Sequence, residues 1–230
     1  PRSTLDRSAA ASDVYKRQPS FYARPTLAVT RDLIGKVLVH VGRAGTTAGT
    51  IVEVEAYIGE SDPACHAAVG FTQRNAPLYG PPGIAYVYLN YGVHYLVNAV
   101  TESEGFPAAV LIRALKPLNG TSLMYRRRSR GAGRRRTPLL EMNLCRGPGN
   151  LTCALGITLQ QNRSDLCGDR LFIEDPGMPE ISVGWSSRIG LTVGKGLRWR
   201  CYASQNLYVS ARKTTSGGFA HSGETARQEP

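Results

Sequence analysis

The chain has 230 residues, of which 42% are hydrophobic and 20% charged, the balance of an ordinary globular protein. Its formal net charge of +11 favours a polyanionic partner such as nucleic acid, because each neutralised phosphate releases counterions. The five cysteines include no Cys-x-x-Cys pair, which argues against zinc or a disulfide framework and fits a reducing cytoplasm. No apolar run approaches the roughly 18 residues of a membrane helix, and no secretory signal is visible, so we expect no membrane contact.

The two ends of the chain differ from its middle. Residues 1–18 are polar and unpatterned, and we expect a non-native or disordered segment there. Residues 213–230 are rich in Ser, Thr and Gly and are expected to be a disordered tail. Residues 19–212 show no internal repeat and no clear linker, which predicts a single domain.

The first elements mix helix and strand. Phe21–Ile34 has apolar residues at helical spacing, with Pro25 placed to sit in a first helical turn. Lys36–His40 is typical of a strand, and Gly42–Gly49 of a turn region. The stretch Ile51–Ile58 alternates with period two and therefore predicts a strand with two distinct faces.

The middle of the chain predicts a functional loop followed by paired strands. Residues 59–83 are rich in Gly, Pro, Asp and Asn, and a loop of that length in a compact domain is often functional. Ala85–Asn90 and His94–Val100 are predicted strands joined by a hairpin turn at residues 91–93, and Ala108–Leu115 is a third strand.

An arginine-rich run separates these strands from the last third of the chain. Seven arginines fall within Tyr125–Arg136, and Gly131 and Gly133 argue against a stable helix there. The run fits a phosphate-binding loop as well as it fits a solvated one. Farther on, Gly147–Asn150 precedes a helix-like segment whose N-terminus could take a phosphate, although capping alone would explain it. The remaining predicted segments are a helix at Leu151–Leu155 and short strands at Leu171–Glu174, Gly190–Val193 and Asn206–Ser210.

The strand Ile51–Ile58 carries an unusual polar face. Glu53, Glu55 and Tyr57 share one side, whereas a core strand normally has no use for two carboxylates. We expect that side to line a reactive or wet site, with Glu55 as the candidate base for a water or as a stabiliser of an oxocarbenium ion. A solvent-facing glutamate is the alternative. Arg113, in the middle of another strand, is a plausible partner for Glu55.

Five tyrosines cluster near these strands and suggest a surface for bases. Stacking on a base contributes about 1–3 kcal/mol, although tyrosines in strands often only pack. Tyr91 stands at a hairpin tip, where it could wedge between base pairs. His66 has no second ligand at zinc spacing, so base stacking or a local hydrogen bond is favoured over a metal role. The five residues are Tyr57, Tyr86, Tyr88, Tyr91 and Tyr95.

Taken together, these motifs resemble the alkyladenine (3-methyladenine or methylpurine) DNA glycosylase family of base excision repair. The resemblance covers roughly residues 20–212 and is most specific in the Glu-Ala-Tyr and Tyr-Val-Tyr…Tyr-Gly blocks. The matching segments are Arg31–Gly35, Ile51–Gly59, Asp62–His66, Arg74–Asn75, Tyr86–Tyr88, Tyr91–His94, Asn98, Leu111–Leu115 and Leu144–Pro148, then more weakly Ser187–Gly190 to Val209–Ser210.

The resemblance implies a role for each candidate residue. Glu55 would activate the water that attacks the sugar C1′, and Arg113 and a backbone carbonyl at Ile189 would hold that water. The flipped base would lie between aromatic side chains, and Asn98 would crowd the exocyclic amino group of normal guanine. The side chains implied to sandwich the base are Tyr57, His66 and Tyr88, and the hairpin residues implied to enter the minor groove are Tyr91, Gly92 and Val93.

The resemblance also implies simple hydrolysis. An alkylated purine is cationic and leaves readily, so no metal or other cofactor is expected, and no lysine stands near the motifs to form a Schiff base. We expect an α+β fold with a curved antiparallel sheet, surrounding helices and a protruding hairpin. The protein would be a cytoplasmic, nucleoid-associated monomer that acts on double-stranded DNA containing a damaged base.

One alternative to the DNA glycosylase remains open from the sequence, and two others are disfavoured. Cys201, Gln205 and Leu207 depart from the family pattern, and the stretch 191–196 is also unusual, which keeps a catalytically weak or silent damaged-DNA-binding module in play. A nucleoside hydrolase is disfavoured by the basic charge and by Tyr91. A glycosidase is disfavoured because two carboxylates on one strand do not easily flank a bond.

Overall fold

The computed structural model describes residues 18–130, 138–177 and 179–210. Within these ranges the chain forms four α-helices and eight strands, and the strands pair antiparallel in one curled sheet. The strands are β1 Val37–Gly42, β2 Gly45–Ile58, β3 Ala85–Asn90, β4 His94–Val100, β5 Ala108–Asn119, β6 Leu171–Glu174, β7 Val183–Ser186 and β8 Arg200–Ala203. The helices are α1 Pro19–Tyr22, α2 Thr26–Asp32, α3 Thr121–Ser129 and α4 Pro148–Leu155. The predicted α+β class with a curved antiparallel sheet is confirmed.

Some predicted segments fall outside the described ranges. They are the N-terminal segment up to residue 17, the C-terminal tail from residue 211 onward, and residues 131–137 of the arginine-rich run. Within the ranges that are described, no helix is both long enough and apolar enough to cross a membrane.

Strand β2 is the centre of the sheet. The strand order is β3-β4-β5-β2-β1-β6, with β8 added to β2 and β7 added to β8. Residues 53–55 of β2 are hydrogen-bonded to β5 on one side and to β8 on the other. The β2–β5 register shifts on both sides of Glu53, and such bulges re-aim side chains near functional sites. The backbone that carries Glu53 and Glu55 is therefore fixed along both edges.

The main core joins the sheet to helices α2 and α4. Leu33, Ile51 and Leu155 are fully buried there, and each such side chain contributes roughly 1.5–3 kcal/mol through burial. A second, smaller cluster contains Tyr86 with Tyr57 and Tyr88 packed against it. These three tyrosines therefore pack in an apolar cluster that is separate from the main core.

The predicted turn at Gly42–Gly49 is wrong, because β2 already begins at Gly45. Only residues 43 and 44 connect the paired ends of β1 and β2. Gly49 serves close packing within the strand: a Cβ at this position would lie 2.9 Å from the side chain of Leu115 and 2.9 Å from the carbonyl oxygen of Lys116. Gly49 is thus required by close packing in the strand and not by a turn.

The helix predicted within Phe21–Ile34, with Pro25 near its start, corresponds to α2, and the residues before it form the separate short helix α1. Pro25 stands before α2 at its N-cap, with an extended ψ of 129°. Proline lacks a backbone N–H and disfavours helix in the residue before it, so α1 cannot run on through this position.

The arginine-rich run begins inside a helix, contrary to the sequence prediction. Helix α3 includes Arg126, Arg127 and Arg128 in its last turn. Cations near the C-terminal end of a helix are stabilised by its dipole. The two glycines that argued against a helix follow its end, so they do not interrupt it.

The last predicted strands are partly misplaced. Leu171–Glu174 is β6, but residues 190–193 and 206–210 form no strand. Two short strands that lack an alternating pattern, β7 and β8, pair with each other, and β8 pairs with β2. Arg200 begins β8 and is buried because its guanidinium meets the carboxylate of Glu53. A buried ion pair thus takes the place of the apolar side chain that a pattern search expects.

Candidate active site

A cavity of about 320 Å³ gathers most of the predicted site residues. Its walls come from the end of β2, the loop after it, strands β3 to β5 and residues 189–191. The predicted residues among its walls are Tyr57, His66, Tyr88, Tyr91, Asn98, Arg113 and Ile189. Glu55 lies directly behind three of them, whereas Gly92 and Val93 lie in the hairpin turn outside the cavity wall.

Glu55 is fully buried and is held by three donors. The backbone N–H of Ile189 donates to Oε1 at 2.7 Å, the Tyr57 hydroxyl to Oε2 at 2.9 Å, and Nη1 of Arg113 to Oε2 at 3.1 Å. Three donors match the acceptor-only chemistry of an ionised carboxylate. Because all three donor residues line the cavity, the carboxylate is fixed at its wall. The contact with Ile189 is made by the N–H, on the same residue whose carbonyl the resemblance singled out.

Glu53 does not line the cavity and accepts four hydrogen bonds, one more than Glu55. It accepts from Nε of Arg113 at 3.0 Å, Nε of Arg200 at 2.7 Å, and both the N–H and the hydroxyl of Ser210 at 2.6 and 2.8 Å. Burial alone would raise the pKa of Glu53, but the charges of Arg113 and Arg200 outweigh it and hold that pKa below its usual value. This carboxylate braces Arg113, which in turn contacts Glu55.

The two buried glutamates therefore differ in their surroundings: the donors to Glu55 line the cavity, whereas Glu53 mainly pairs with two arginines. The sequence suggested that their shared face was wet or reactive, and the solvent-facing alternative for Glu55 is wrong because its side chain is fully buried. Arg113 bonds to both carboxylates, so the expected pairing of Arg113 with Glu55 is confirmed. The pairing with Glu53 was not anticipated.

An aromatic cluster forms one wall of the cavity. The rings of His66 and Tyr88 have centroids 4.5 Å apart, and Tyr86 stacks on Tyr88 at 5.2 Å. Nδ1 of His66 lies 2.8 Å from the Tyr86 hydroxyl. Burial, and then the charge of Arg74, lowers the pKa of His66, so its ring is neutral near pH 7. Tyr86 was one of the five tyrosines suggested as a surface for bases, but the family resemblance gave it no role in the site.

The ion pair of Arg188 and Asp62 holds Tyr57 on the side of its ring away from the cavity. The sequence assigns no role to this pair. The guanidinium of Arg188 lies 4.6 Å from the centre of the Tyr57 ring. Arg188 binds both carboxylate oxygens of Asp62, at 2.6 and 2.7 Å, and donates to the carbonyl of Ala56 at 2.9 Å. Burial, and then the Glu55 carboxylate, raises the pKa of Tyr57, so its hydroxyl stays protonated and remains a donor.

The two residues of this ion pair were visible only as parts of motifs. Asp62 begins the Asp62–His66 block and Arg188 precedes Ile189, yet neither spacing indicates that they meet across 126 residues. Both side chains are fully buried, which makes the pair part of the site's frame.

Asn98 lies on β4 and is almost entirely buried at the cavity. Its Nδ2 donates to the backbone carbonyl of Tyr86 at 2.9 Å, which holds the amide in one orientation. The cavity wall therefore carries an amide in a fixed orientation at this position.

The hairpin turn projects an aromatic ring into solvent. Tyr91 is 91% exposed and Val93 is 70% exposed. Tyr91 has a φ of 48° and Gly92 a φ of 70°, so two consecutive residues adopt the left-handed conformation. This conformation is unfavourable for a bulky residue such as tyrosine. The predicted exposure of Tyr91 is confirmed, and its backbone is strained.

Metal ligands do not gather in the part of the chain that the structure describes: no group of three or more His, Cys, Asp or Glu residues could hold an ion there. All five cysteines are free thiols. The groups at the site are the carboxylates of Glu53, Glu55 and Asp62, the guanidinium groups of Arg113, Arg188 and Arg200, the amide of Asn98 and the aromatic rings.

Comparison with known proteins identifies the family of the chain. A family model described as methylpurine-DNA glycosylase matches residues 20–207. A protein named "Putative 3-methyladenine DNA glycosylase" from Chlorobium phaeobacteroides (strain BS1) is 46% identical over 197 residues, which cover 84% of this chain and 94% of the relative. Proteins of the same name from Methanocella arvoryzae and Alkaliphilus oremlandii are 45% and 40% identical, covering 84% and 86% of this chain and 94% and 100% of theirs.

These matches define the class as DNA glycosylases, enzymes that hydrolyse N-glycosyl bonds. The chain belongs to the methylpurine-DNA glycosylase family. The resemblance noted from the motifs is thereby confirmed, while the roles of the individual residues stay predictions.

Proposed function

We propose that this protein removes an alkylated purine from double-stranded DNA by hydrolysing its N-glycosidic bond with a water that Glu55 activates. The observation that carries the proposal is the buried Glu55 carboxylate, held by Tyr57, Arg113 and Ile189 at the wall of an aromatic cavity. The volume of this cavity, about 320 Å³, falls within the range of small-molecule pockets. The names of the relatives, which specify 3-methyladenine, support an alkylated purine as the substrate.

A base can reach this cavity only after it leaves the DNA stack. Extrusion costs a few kcal/mol, and the cost is lower for a damaged pair. Tyr91 is exposed at the hairpin tip and also borders the cavity, so its ring can fill the gap that the extruded base leaves. Gly92 and Val93 would contact DNA beside it.

The aromatic walls favour a cationic base. A ring that lies between Tyr57 on one side and His66 and Tyr88 on the other would meet π faces, which attract positive charge. The back of the Tyr57 ring is already covered by Arg188, which leaves the face toward the cavity for the base. Asn98 would exclude normal guanine by crowding its exocyclic amino group.

The bond changes are those of a direct hydrolysis. The oxygen of a water attacks C1′ of the sugar while the C1′–N bond breaks, and its electron pair leaves with the base. Glu55 takes the proton of the water, and Arg113 and the backbone of Ile189 hold the water in line. The alkylated purine departs as a neutral molecule because it was a cation before cleavage.

Glu55→Gln tests the assignment of the base. We expect release of alkylated purine from methylated duplex DNA to fall by about 10² to 10⁴ under single-turnover conditions, with binding to an abasic-site duplex retained. Glu60→Gln, the same chemical change on the loop that follows β2, is the matched control and should leave release unchanged. Full activity of Glu55→Gln would refute the role of Glu55, whereas binding without release by the unaltered protein would instead indicate a silent DNA-binding module.

A further inference from the structure

A second concavity, of about 640 Å³, lies beside the hairpin turn and has a basic lining. We call it the arginine groove and define it by Val93, His94, Arg128, Arg130 and Cys153, together with the start and end of α4. Among the described residues that line it there is no Asp or Glu. Its chemistry therefore favours an anion.

The arginines of α3 are not equivalent. Arg127 donates to the carbonyl of Ala154 at 3.0 Å and packs against Gly156, so it caps the end of α4. Arg128 and Arg130 line the groove without an ion pair to any carboxylate in the described ranges, and the buried Nε of Arg128 has no hydrogen-bond partner there. Arg127 can be explained by the fold alone, whereas Arg128 and Arg130 cannot.

The charges of α3 repel one another in the absence of a ligand. Burial, and then the neighbouring charges of Arg126 and Arg130, lowers the pKa of Arg127. A protein gains nothing in stability from such a concentration of unpaired cations, and a bound anion would relieve the repulsion.

The groove adjoins the cavity that takes the base. Tyr91 borders the cavity and Val93, two residues along the same turn, borders the groove. At the start of α4, Pro148 lines the cavity and Gly149 lines the groove, where a Cβ on Gly149 would meet the ring of His94 at 2.7 Å. One strand of DNA could therefore pass through the groove while a base enters the cavity.

We propose that the arginine groove binds the phosphates of the DNA strand beside the extruded nucleotide, with Arg128 and Arg130 as the phosphate ligands. This inference rests on the proposed function, since it places the DNA backbone relative to the base cavity. The guanidinium group suits phosphate because it offers several donors in a plane and stays charged. These contacts would position the duplex without reading its sequence.

The salt dependence of binding tests the groove. We expect Arg128→Ala/Arg130→Ala to bind undamaged duplex at least tenfold more weakly at low salt and to lower the slope of log Kd against log salt by about 2, since each lost phosphate contact removes roughly 0.9. Single-turnover release at saturating enzyme should stay within about twofold. Arg128→Lys/Arg130→Lys should keep the slope. A control away from the groove is Arg31→Ala, which removes one charge from α2, where Arg31 pairs with Glu180 at a separate cavity, and it should keep the slope.

Cys153 supplies a second readout that needs no arginine variant. Its exposed thiol lies in the groove, whereas Cys65, Cys145 and Cys201 are buried. Saturating undamaged duplex should slow the alkylation of Cys153 by iodoacetamide at least fivefold. Mass spectrometry of the peptide that contains Cys153 measures this rate. If the unaltered enzyme releases base, an unchanged alkylation rate refutes the proposal that the groove binds phosphate. An unchanged salt slope in the double alanine variant refutes it as well. Absence of release by the unaltered enzyme overturns the proposed function instead.

Discussion

Arg188 lies against one face of the Tyr57 ring, 4.6 Å from its centre, while both of its terminal nitrogens bind Asp62. The same arginine donates to the carbonyl of Ala56, so one side chain fixes the strand, the loop and the aromatic ring. The residue that follows it, Ile189, donates to Glu55. Arg188 lies behind the cavity, and through these contacts it positions both the Glu55 carboxylate and the Tyr57 ring.

Replacing Arg188 by lysine should therefore impair catalysis more than it weakens DNA binding. Lysine keeps the charge but loses the bidentate contact with Asp62 and the planar contact with Tyr57. We expect single-turnover release to fall about tenfold or more, with the affinity for undamaged duplex changed by less than threefold. A loss of affinity with an unchanged rate at saturating enzyme would contradict a positioning role.

The two buried glutamates should separate stability from catalysis. Glu53→Gln leaves Arg113 and Arg200 without their shared carboxylate, and breaking a buried pair of this kind costs about 3–5 kcal/mol. Glu55→Gln leaves Arg113 still paired with Glu53, so the free energy of unfolding should fall by less. Urea unfolding followed by circular dichroism measures both changes. Equal midpoints for the two variants would argue against this division of roles.

Acid should destabilise the fold through two histidines, His40, which is buried, and His66, which is half-buried at the cavity. Burial lowers the pKa of both His40 and His66 from the ordinary value near 6.5. The unfolded chain therefore binds protons more readily than the folded one, and the free energy of unfolding falls as the pH drops below about 6.5, by at most about 1.4 kcal/mol per pH unit for each histidine. Thermal unfolding between pH 7.5 and 5 tests this expectation.

His40→Asn supplies the control for the pH experiment. Nδ1 of His40 lies 2.8 Å from the carbonyl of Leu155, and the Asn amide can donate there without titrating. The variant should lose part of the acid destabilisation while staying close to the natural stability at pH 7.5. A slope identical to that of the unaltered protein would show that His40 does not contribute.

Asn98 should control selectivity against normal purines. Asn98→Ala removes a buried amide from the cavity wall and opens room for an exocyclic amino group. We expect release of unmodified guanine to rise relative to release of alkylated purine by about tenfold or more, the scale on which pocket contacts discriminate. Competition between a methylated and an unmodified duplex measures the ratio, and an unchanged ratio would exclude this role.

The sequence predicts the local parts of the site well. Alternation with period two places Glu55 and Tyr57 on one side of β2, and it places Tyr86 and Tyr88 together on β3, because strand geometry depends on neighbouring residues alone. It does not predict which distant residues meet them. The N–H of Ile189 reaches Glu55 across 134 residues.

The C-terminal part was the least predictable for a further physical reason. Strands β7 and β8 have four residues each, and β8 is held to β2 partly by Arg200 and Glu53. A buried ion pair carries no hydrophobic periodicity, so a pattern search passes over it. The departures from the family pattern at residues 201–207 adjoin this framework, yet Glu53 and Arg200 are both in place.

The strained turn at Tyr91 should lower the stability of the free enzyme, whereas we propose that its exposed ring serves the contact with DNA. A left-handed backbone at tyrosine costs about 1–2 kcal/mol, and the exposed ring gains no burial in return. Tyr91→Gly should therefore raise the melting temperature while it slows base release from duplex DNA. Selection for thermal stability alone would favour glycine at this position, so folding does not explain the tyrosine at the tip of the turn.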